Sequence, residues 1–585
     1  AGRQVDLARL QALIDGLARP VDLSLTRERS KASFRYTPSP RWDLLIQYTL
    51  ENERGARPFG ATFTFNPTEQ AEPIDYRSQD FRANVERTGE DWVVQMGFAR
   101  MTFRNFVSVL EWDNAWEEVN AAGRASAGRI DLYPDNSVNQ ATASAAWSLS
   151  PSTRWTVSGA YGVMSQDDPF LPFTVNPAVA NVPALPATSA NGKVKTSLLN
   201  STLTSRPVPE LSITARYRYY DKDNQTPSLI FQDYVRTAQQ LGGVARRNLP
   251  YGYTRQNAGL DLSWRMVPAV TLKGGYEWEG WDRDYRETLS TAENTLGGAV
   301  DVTHEGWLFV RAAYRRSNRT EHDYEAHRVA EEAFPNGEPG LGQLEELRKL
   351  DQASRKRDRA EIIARVSPGE SFSLSAAYSL TTDDFHETEY GLEKAESRSP
   401  SVEITYSPSA RFTLFGELTR ENNDWDMRSR QRTPAAGATP ANDKAANDWV
   451  SEIRDHANTY GAGLTGVLIP EKMEIDLSLD ISDGNGLTGT HTPGTPDLVT
   501  TAEDYPVIVS DFRTLAATLQ YKLSERVSVR LDHRYEKYES MDFALDRMAP
   551  FLGFVDAASA ATTWLGVTRP GFSAHVSSLG FVYRF

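Results

Sequence analysis

Residues 468–481 read LIPEKMEIDLSLDI, a short polar turn followed by a segment in which apolar and polar side chains alternate. One face of this segment carries Met473, Ile475, Leu477, Leu479 and Ile481, and the other carries Glu474, Asp476, Ser478 and Asp480. Because successive side chains of a β-strand point to opposite faces, the pattern predicts a strand with one apolar and one polar side. About ten residues at ~3.3 Å each, tilted by ~45°, cross ~25 Å, which is the apolar height of an outer membrane.

The same turn-and-strand unit recurs along almost the whole chain. Three of its turns read PSPR, PSTR and PSAR, and proline cannot continue a central strand. The predicted hairpin turns are Pro38–Arg41, Thr88–Asp91, Pro151–Arg154, Arg206–Glu210, Met266–Ala269, Thr303–Gly306, Pro368–Ser371, Pro408–Arg411, Leu468–Lys472 and Leu523–Arg526. With the C-terminal segment Phe572–Phe585 and a further partner within Val21–Ser30, these hairpins predict about 22 strands. Strands in Asn105–Trp112, Tyr285–Thr291 or the long connections would raise the total to about 26.

A soluble antiparallel β-sandwich would show the same alternation, but three features favour a transmembrane β-barrel. Short and long connections alternate strictly, aromatic residues mark the strand ends, and the last strand closes on a terminal phenylalanine. The long connections are predicted at Ser165–Gly192, Asp221–Tyr251, Asn318–Asp351 and Thr419–Trp449. We therefore predict an all-β fold in which residues 21–585 form one large antiparallel barrel in the outer membrane of a Gram-negative cell. Its short turns and both termini should be periplasmic and its long loops extracellular.

Composition excludes several other classes of protein. The chain has no cysteine, which removes disulfides, thiolate metal sites and covalent haem attachment through a C-x-x-C-H motif. A net charge of -15 argues against a nucleic-acid-binding protein of the usual basic kind. The mean hydropathy of -0.50 argues against a bundle of membrane-spanning helices. Residues 1–20 lack the pattern of a signal peptide and are predicted to form a short periplasmic segment with an amphipathic helix over Val5–Leu17.

Seven strings occur in an order similar to that of a known family. They are RPFGATF at 57–63, EPIDY at 72–76, RNFVSVLEWDNAW at 104–116, ARRNLPYGYTRQNAGLDLSWR at 245–265, YEWEGWDRDY at 276–285, LRKLDQASRKRDRAE at 347–361 and RPGFSAHVSSLGFVYRF at 569–585. On these strings the chain resembles, from about residue 20 to its C-terminus, the MtrB/PioB family of outer-membrane barrels associated with decahaem cytochromes.

The resemblance implies a 26-stranded barrel that sheaths a periplasmic multihaem, decahaem-type c cytochrome. The haem c would belong to the partner, and the barrel would bind no cofactor covalently and would catalyse no reaction. The resemblance leaves open the direction of electron flow and whether an extracellular multihaem cytochrome also binds. Some family members carry a cysteine pair near the N-terminus that this chain lacks, which leaves its subgroup open. Twenty-six strands imply a backbone diameter of roughly 50 Å, which side chains narrow but do not fill, so the lumen needs a plug, and no plug domain is visible in the sequence.

Charged residues on the polar faces of the strands are the candidate contacts with such a partner. They are Arg216, Arg218, Lys273, Glu277, Glu279, Glu474, Asp476, Asp480, Arg530, Asp532, Arg534 and Glu536. Any wet lumen is lined by charges, but these rows could also pair with polar groups and haem propionates of an inserted protein. No catalytic, cofactor-binding or metal-binding residues are predicted, and His322 and His327 are badly spaced for one helix face.

The sequence leaves two other functions open. A large diffusion or uptake channel would need a constricting inward loop or an N-terminal plug, and neither is apparent in the sequence. An export or assembly barrel would normally carry periplasmic domains before the barrel. An enzyme is the least favoured alternative.

Overall fold

The structure is a computed structural model dominated by one very long antiparallel sheet. It describes residues 21–63, 66–114, 116–117, 119–233, 235–236, 238–336, 344–430, 445–493, 503–543, 551–554, 561–564 and 571–583, together with Ala12 and Gly16. No helix among these residues is long and apolar enough to span a membrane.

The main sheet contains 24 strands. Its long strands are β1 (Leu25–Ser39), β2 (Trp42–Phe63), β3 (Asn66–Thr88), β4 (Trp92–Asn105), β7 (Asn136–Ser150), β8 (Thr153–Gln166), β9 (Gly192–Val208), β10 (Leu211–Asn224), β15 (Tyr253–Val267), β16 (Val270–Arg283), β17 (Ser290–His304), β18 (Leu308–His322), β20 (Arg355–Gly369), β21 (Phe372–Asp384), β22 (Tyr390–Ser409), β23 (Phe412–Arg430), β24 (Asp448–Ile469), β25 (Met473–His491), β26 (Ile508–Lys522), β27 (Val527–Met541) and β30 (Phe572–Tyr583). Three members are short, namely β19 (Leu347–Arg348), β28 (Phe551–Phe554) and β29 (Ala561–Trp564), which leaves 21 long strands.

The remaining elements lie in the long connections. They are the hairpin strands β5 (Val109–Asp113) and β6 (Ala127–Asp131), the two-residue strands β11 (Ile230–Phe231), β12 (Val235–Arg236), β13 (Gln240–Leu241) and β14 (Arg246–Arg247), the helix α1 (Arg328–Ala333) and a 3-10 turn at Ala445–Asn447. These connections pack on one another. The buried Asn176 donates through Nδ2 to the carbonyls of Ala121, Arg124 and Ala238 at 3.3, 2.7 and 3.0 Å, so one side chain ties three loops together.

All ten predicted hairpin turns are confirmed. Each lies between two long strands that are neighbours in the chain and pair antiparallel, such as β24 and β25 around residues 470–472. Chain order and spatial order therefore agree along the sheet, so that one side carries tight turns and the other carries the long loops. The expected strict alternation of short and long connections is wrong, because the loop side also holds short connections, such as the two residues between Phe63 of β2 and Asn66 of β3. We call these two sides the turn rim and the loop rim.

The apolar faces of neighbouring strands join into one outward belt. Tyr276 of β16 pairs with Leu260 of β15 on one side and with Leu296 of β17 on the other. These side chains are 48%, 45% and 68% exposed, although they are large and apolar. Buried apolar residues of the described chain lie mainly at the loop rim, as Leu110 and Phe385 do, instead of under the sheet. A single layer with an uncovered apolar belt is the arrangement expected of a wall that faces lipid.

The N-terminal part of the prediction needs correction. No separate strand is found in Val21–Ser30, because residues 25–30 are the first part of β1 and pair with β2 from Leu25 and Gly55 onward. In the described residues β1 therefore begins at the loop rim, whereas β30 ends at the turn rim as predicted. The predicted helix Val5–Leu17 lies outside the described residues except for Ala12 and Gly16, which are helical.

Several strands also run farther than predicted. The expected loop Thr419–Trp449 is partly strand, since β23 continues to Arg430 and β24 begins at Asp448. Asp448 is 1% exposed and binds Arg428 and Arg430 at 2.7 and 2.5 Å, so ion pairs hold these strand ends together beyond the apolar belt. The strand proposed in Asn105–Trp112 exists as β5, but it pairs with β6 outside the main sheet.

Placing a charge on the outward belt should destabilise the protein. Leu477→Arg, in the outward row of β25, should lower the free energy of unfolding by about 2–4 kcal/mol, because the guanidinium would face hydrocarbon. Ser478→Arg, one residue along on the inward face, should change it by less than about 0.5 kcal/mol. Urea unfolding from phospholipid vesicles measures both. Equal losses for the two variants would contradict the assignment of faces.

Candidate functional site on the inward face

The predicted contact residues all lie on the face opposite the apolar belt, which lines the lumen. The strand register shows this directly, because Arg216 of β10 pairs with Gly259 of β15, and Gly259 pairs with Glu277 of β16. Glu277 is adjacent in sequence to the outward Tyr276, so Glu277 and Arg216 both point inward. The same alternation places the predicted residues of β25 and β27 inward. The structure does not bring them all together, because β10 and β16 lie in one sector of the sheet and β25 and β27 in another.

Several of the predicted residues are already paired within the wall. Arg216 binds Asp261 at 2.5 Å, and Lys273 binds Asp301 at 2.8 Å. Glu279 accepts hydrogen bonds from Arg255 at 2.6 Å. In the second sector, Arg530 binds Asp532 at 2.8 Å and Arg534 binds Glu536 at 2.6 Å. Such pairs between strands and along them hold the inward side chains in place, and they leave fewer charges available to another molecule.

The other predicted residues have no ion pair within the described part of the chain. They are Arg218, Glu277, Glu474, Asp476 and Asp480. Three of these five residues, Glu474, Asp476 and Asp480, are carboxylates on β25, so most of the unpaired charge lies on that strand and is negative.

Four further carboxylates extend this negative region and were missed by the sequence reasoning. Together with the three on β25 they form what we call the acidic sector, on the inward faces of β22 to β25: Glu403, Glu417, Glu421, Asp455, Glu474, Asp476 and Asp480. In those four strands the regular alternation brings no lysine or arginine to the inward face among the described residues. Alternation within each strand would have placed each of these carboxylates on a polar face. Only the register between strands shows that the seven lie together.

The acidic sector includes two carboxylates that face each other. Glu403 of β22 pairs directly with Glu417 of β23, and neither has an ion-pair partner among the described residues. Like charges directly opposite each other on one face of a sheet destabilise the pairing. A cationic surface placed against this sector would relieve that repulsion.

A row of aromatic rings crosses the inward face near the loop rim. Tyr220, Tyr253 and Trp281 lie on three neighbouring strands, with ring centroids 5.7 and 5.2 Å apart. The guanidinium carbons of Arg255 and Arg283 each lie 4.9 Å from the Trp281 ring centroid. Cation–π contacts of this kind hold both arginines against the ring.

The described parts of the connection 323–354, residues 323–336 and 344–354, fold over this part of the inward face, and we call these residues the loop 323–354. Inward-facing Arg319 donates to the carbonyls of Leu350 and Ala353 at 2.6 and 2.8 Å, and Arg328 of α1 donates to the Glu287 carbonyl at 2.9 Å. Burial raises the pKa of Tyr324, in the same connection, to about 12, so its hydroxyl stays neutral. The sequence suggested no inward loop, and that expectation is wrong. The contacts that fold this loop inward join residues far apart in the chain.

Glu287 anchors the folded loop. Its side chain is fully buried, accepts a hydrogen bond from Gln352 Nε2 at 2.9 Å and forms an ion pair with Lys349. Burial favours the neutral carboxyl, but the hydrogen bonds from Lys349 and Gln352 outweigh it, so the pKa of Glu287 lies below its usual 4.5. A carboxyl group whose pKa is lowered in the folded state stabilises that state above its ordinary pKa, and the stabilisation is lost as pH falls through the folded value.

Acid should therefore loosen the loop. Amides of residues 344–354 should be well protected at neutral pH, relative to their intrinsic pH-dependent exchange rates, and should lose this protection as the pH drops below 4.5, where Glu287 becomes protonated. Glu287→Gln should exchange fast already at neutral pH, and acid should add little further change. Hydrogen exchange read by mass spectrometry measures both, with β25 as the internal reference. The same acid response in Glu287→Gln and in the parent chain would show that another group controls the loop.

Comparison with known proteins relates the whole chain to one family. The sequence profile of the MtrB/PioB family of outer membrane beta-barrel porins matches residues 6–585. The chain is also 26% identical over 548 residues to outer membrane protein MtrB of Shewanella baltica strain OS185, and the match covers 92% of this chain and 72% of that protein.

Solved structures support the barrel architecture. The FrpB iron transporter of Neisseria meningitidis, F3-3 variant, superimposes with a TM-score of 0.51 at 11% identity, covering 98% of this chain and 83% of that one. The F5-1 variant in its apoprotein form gives a TM-score of 0.50 at 12% identity, with the same coverage of both chains. At these identities the likeness concerns the fold alone.

Proposed function

Because the chain belongs to the MtrB/PioB family of outer-membrane β-barrel proteins, we propose that it sheaths a periplasmic multihaem c-type cytochrome and so forms an electron conduit across the outer membrane. The cytochrome carries the haems, and electrons hop between them. The barrel positions the cytochrome, insulates it from lipid and performs no chemistry.

The size of the lumen supports a separate occupant. At ~4.8 Å strand spacing and ~40° tilt, the 21 long strands imply a backbone diameter of roughly 40 Å once the sheet is closed. Inward side chains remove roughly 10 Å of that width. Apart from the loop 323–354 at one mouth, the described residues form the wall and its connections, without a second folded domain. An open hole of this width would abolish the permeability barrier of the membrane.

The acidic sector is the observation that carries the proposal. Its carboxylates line four neighbouring strands whose inward faces carry no lysine or arginine among the described residues, and Glu403 faces Glu417. Uncompensated charge of one sign on a concave surface favours a complementary surface of the other sign. We infer that the cytochrome presents lysines or arginines to this sector. Since the chain has no cysteine, covalently attached c-type haem must come with the partner.

The inward loop supports a second candidate function, a diffusion or uptake channel. In that case the loop 323–354 would narrow the lumen and select solutes, and the charged rows would line a water-filled path. The two functions differ in what passes through the barrel. A conduit transfers electrons and leaks no solute when its partner is bound, whereas a channel transfers solutes without a partner.

Liposomes that enclose a redox dye distinguish the two functions. Barrel and cytochrome together should reduce the enclosed dye when an impermeant reductant is added outside, and the dye should stay inside. Barrel alone should not reduce the dye. Selective passage of small solutes through the barrel alone, with no dye reduction by the pair, would favour the channel.

Charge reversal in the acidic sector should weaken cytochrome binding. The double variant Glu403→Lys/Glu417→Lys should bind about tenfold or more weakly, because it turns two attractive contacts repulsive. Glu370→Lys/Glu525→Lys, which makes the same total charge change in two hairpin turns outside the lumen, serves as the control and should bind as the parent does. Binding is measured by titrating detergent-solubilised barrel with the purified cytochrome at two salt concentrations. Unchanged affinity in the double variant would rule out the acidic sector as the contact.

A further inference from the structure

A cavity of about 640 Å³ lies between the aromatic row and the folded loop 323–354, at the loop-rim mouth of the lumen. Its walls come from the inward ends of β10 and β15 to β18, from residues 284–287 and from the loop. Tyr253 and Trp281 supply aromatic surface, and several charged side chains surround them. The proposed function uses none of these groups.

Most carboxylates around the cavity are already neutralised. Glu279 accepts from Arg255 at 2.6 Å, Asn257 at 2.7 Å and Trp281 Nε1 at 2.7 Å. Of the other lining carboxylates, Glu293 binds Arg355 at 2.9 Å, Asp351 binds Arg286 at 2.7 Å and Glu287 binds Lys349. Within the described residues, Asp284 is the lining carboxylate that has no ion pair.

The lining cations are not balanced in the same way. Arg283, Arg319 and Lys222 have no carboxylate within 4.0 Å among the described residues. The guanidinium of Arg319 donates hydrogen bonds to the backbone carbonyls of Leu350 and Ala353 in the loop 323–354. Arg283 makes one hydrogen bond, from Nη1 to Thr291 Oγ1 at 3.0 Å, and lies against Trp281.

The lining itself has five cations and five carboxylates, but Arg255 and Arg355 neutralise Glu279 and Glu293 from outside the lining, so the seven cations exceed the five carboxylates by two. The Arg283 guanidinium is held in place and still has N–H donors available for a ligand.

We propose that this cavity binds a planar aromatic carboxylate, with the carboxylate on Arg283 and Lys222 and the ring against Tyr253 and Trp281. A guanidinium fixed on an aromatic ring presents parallel N–H donors that match a carboxylate. The small surplus of charge suits a ligand with one or two negative charges instead of a polyphosphate. The aromatic walls favour a flat body over a compact inorganic anion.

Binding at this cavity does not require electron transfer through the barrel. A ligand at this mouth could be a free solute or a carboxylate carried on the flat edge of a bound partner's prosthetic group, since both present the same chemistry. Titration of the isolated chain tests the free solute. Repeating it with the lumen occupied by the cytochrome separates the sources, because a partner's own carboxylate would compete with the added one.

Isothermal titration of the detergent-solubilised full chain with 2-naphthoate tests the site. 2-Naphthoate should bind with one site per chain, and 2-naphthamide, which has the same ring without the charge, should bind about tenfold or more weakly. Arg283→Gln should weaken 2-naphthoate binding about tenfold or more. Arg315→Gln removes an inward arginine of β18 that also lacks an ion pair in the described residues but does not line the cavity, so its affinity should match that of the parent.

Heat-modifiable migration on gels verifies that each variant is folded, and Lys222→Gln provides a second, independent variant, expected to weaken binding in the same direction. The proposal is overturned if 2-naphthoate gives no saturable binding, if the amide binds equally well, or if Arg283→Gln and Arg315→Gln behave alike. None of these results bears on whether the barrel binds a cytochrome, which the titration with the cytochrome measures separately.

Discussion

The hydrogen bonds between neighbouring strands are the constraint on which the rest of the molecule depends. In hydrocarbon an unpaired backbone N–H or C=O costs several kcal/mol, so strands can cross the membrane only inside a continuous sheet that leaves no edge in lipid. The described strands pair antiparallel in chain order from β1 to β30, which satisfies every strand of the series except at its two ends. No pairing joins β1 to β30 in the described residues, and these two strands would have to meet to close the sheet. One face of the sheet must then face lipid, and the other must line a wide aqueous lumen.

That geometry decides where function can reside. The outward belt is apolar and largely uniform, as Tyr276 between Leu260 and Leu296 illustrates. The residues that recognise a partner must therefore lie on the inward face or at the rims. Inside, charges fall into two kinds. Pairs such as Lys273–Asp301 belong to the wall. The acidic sector and the cavity at the loop rim keep unbalanced charge of opposite sign at different places in the lumen, which would favour one orientation of an inserted protein over others.

The sequence predicted the strands well because period-two alternation and tight turns are local properties. The unit at 468–481 shows this, since β25 begins at Met473 as predicted. Alternation could not show how far strands continue beyond the membrane, as β23 and β24 do with the help of Asp448. The opposition of Glu403 and Glu417 depends on register between strands. The fold of the loop 323–354 depends on contacts such as that of Glu287 with Lys349. These contacts join distant parts of the chain, so the periodicity of the sequence does not reveal them.

Purification of the tagged chain from its native outer membrane tests the central proposal most directly. Haem absorbance and protein mass in the same chromatographic peak give the number of haem proteins that each barrel retains. We expect a coloured complex with one multihaem cytochrome per barrel, and a colourless barrel once high salt has weakened the charged contacts and removed the partner. A barrel that leaves its native membrane without any haem protein, and conducts small solutes selectively, would contradict the proposed conduit.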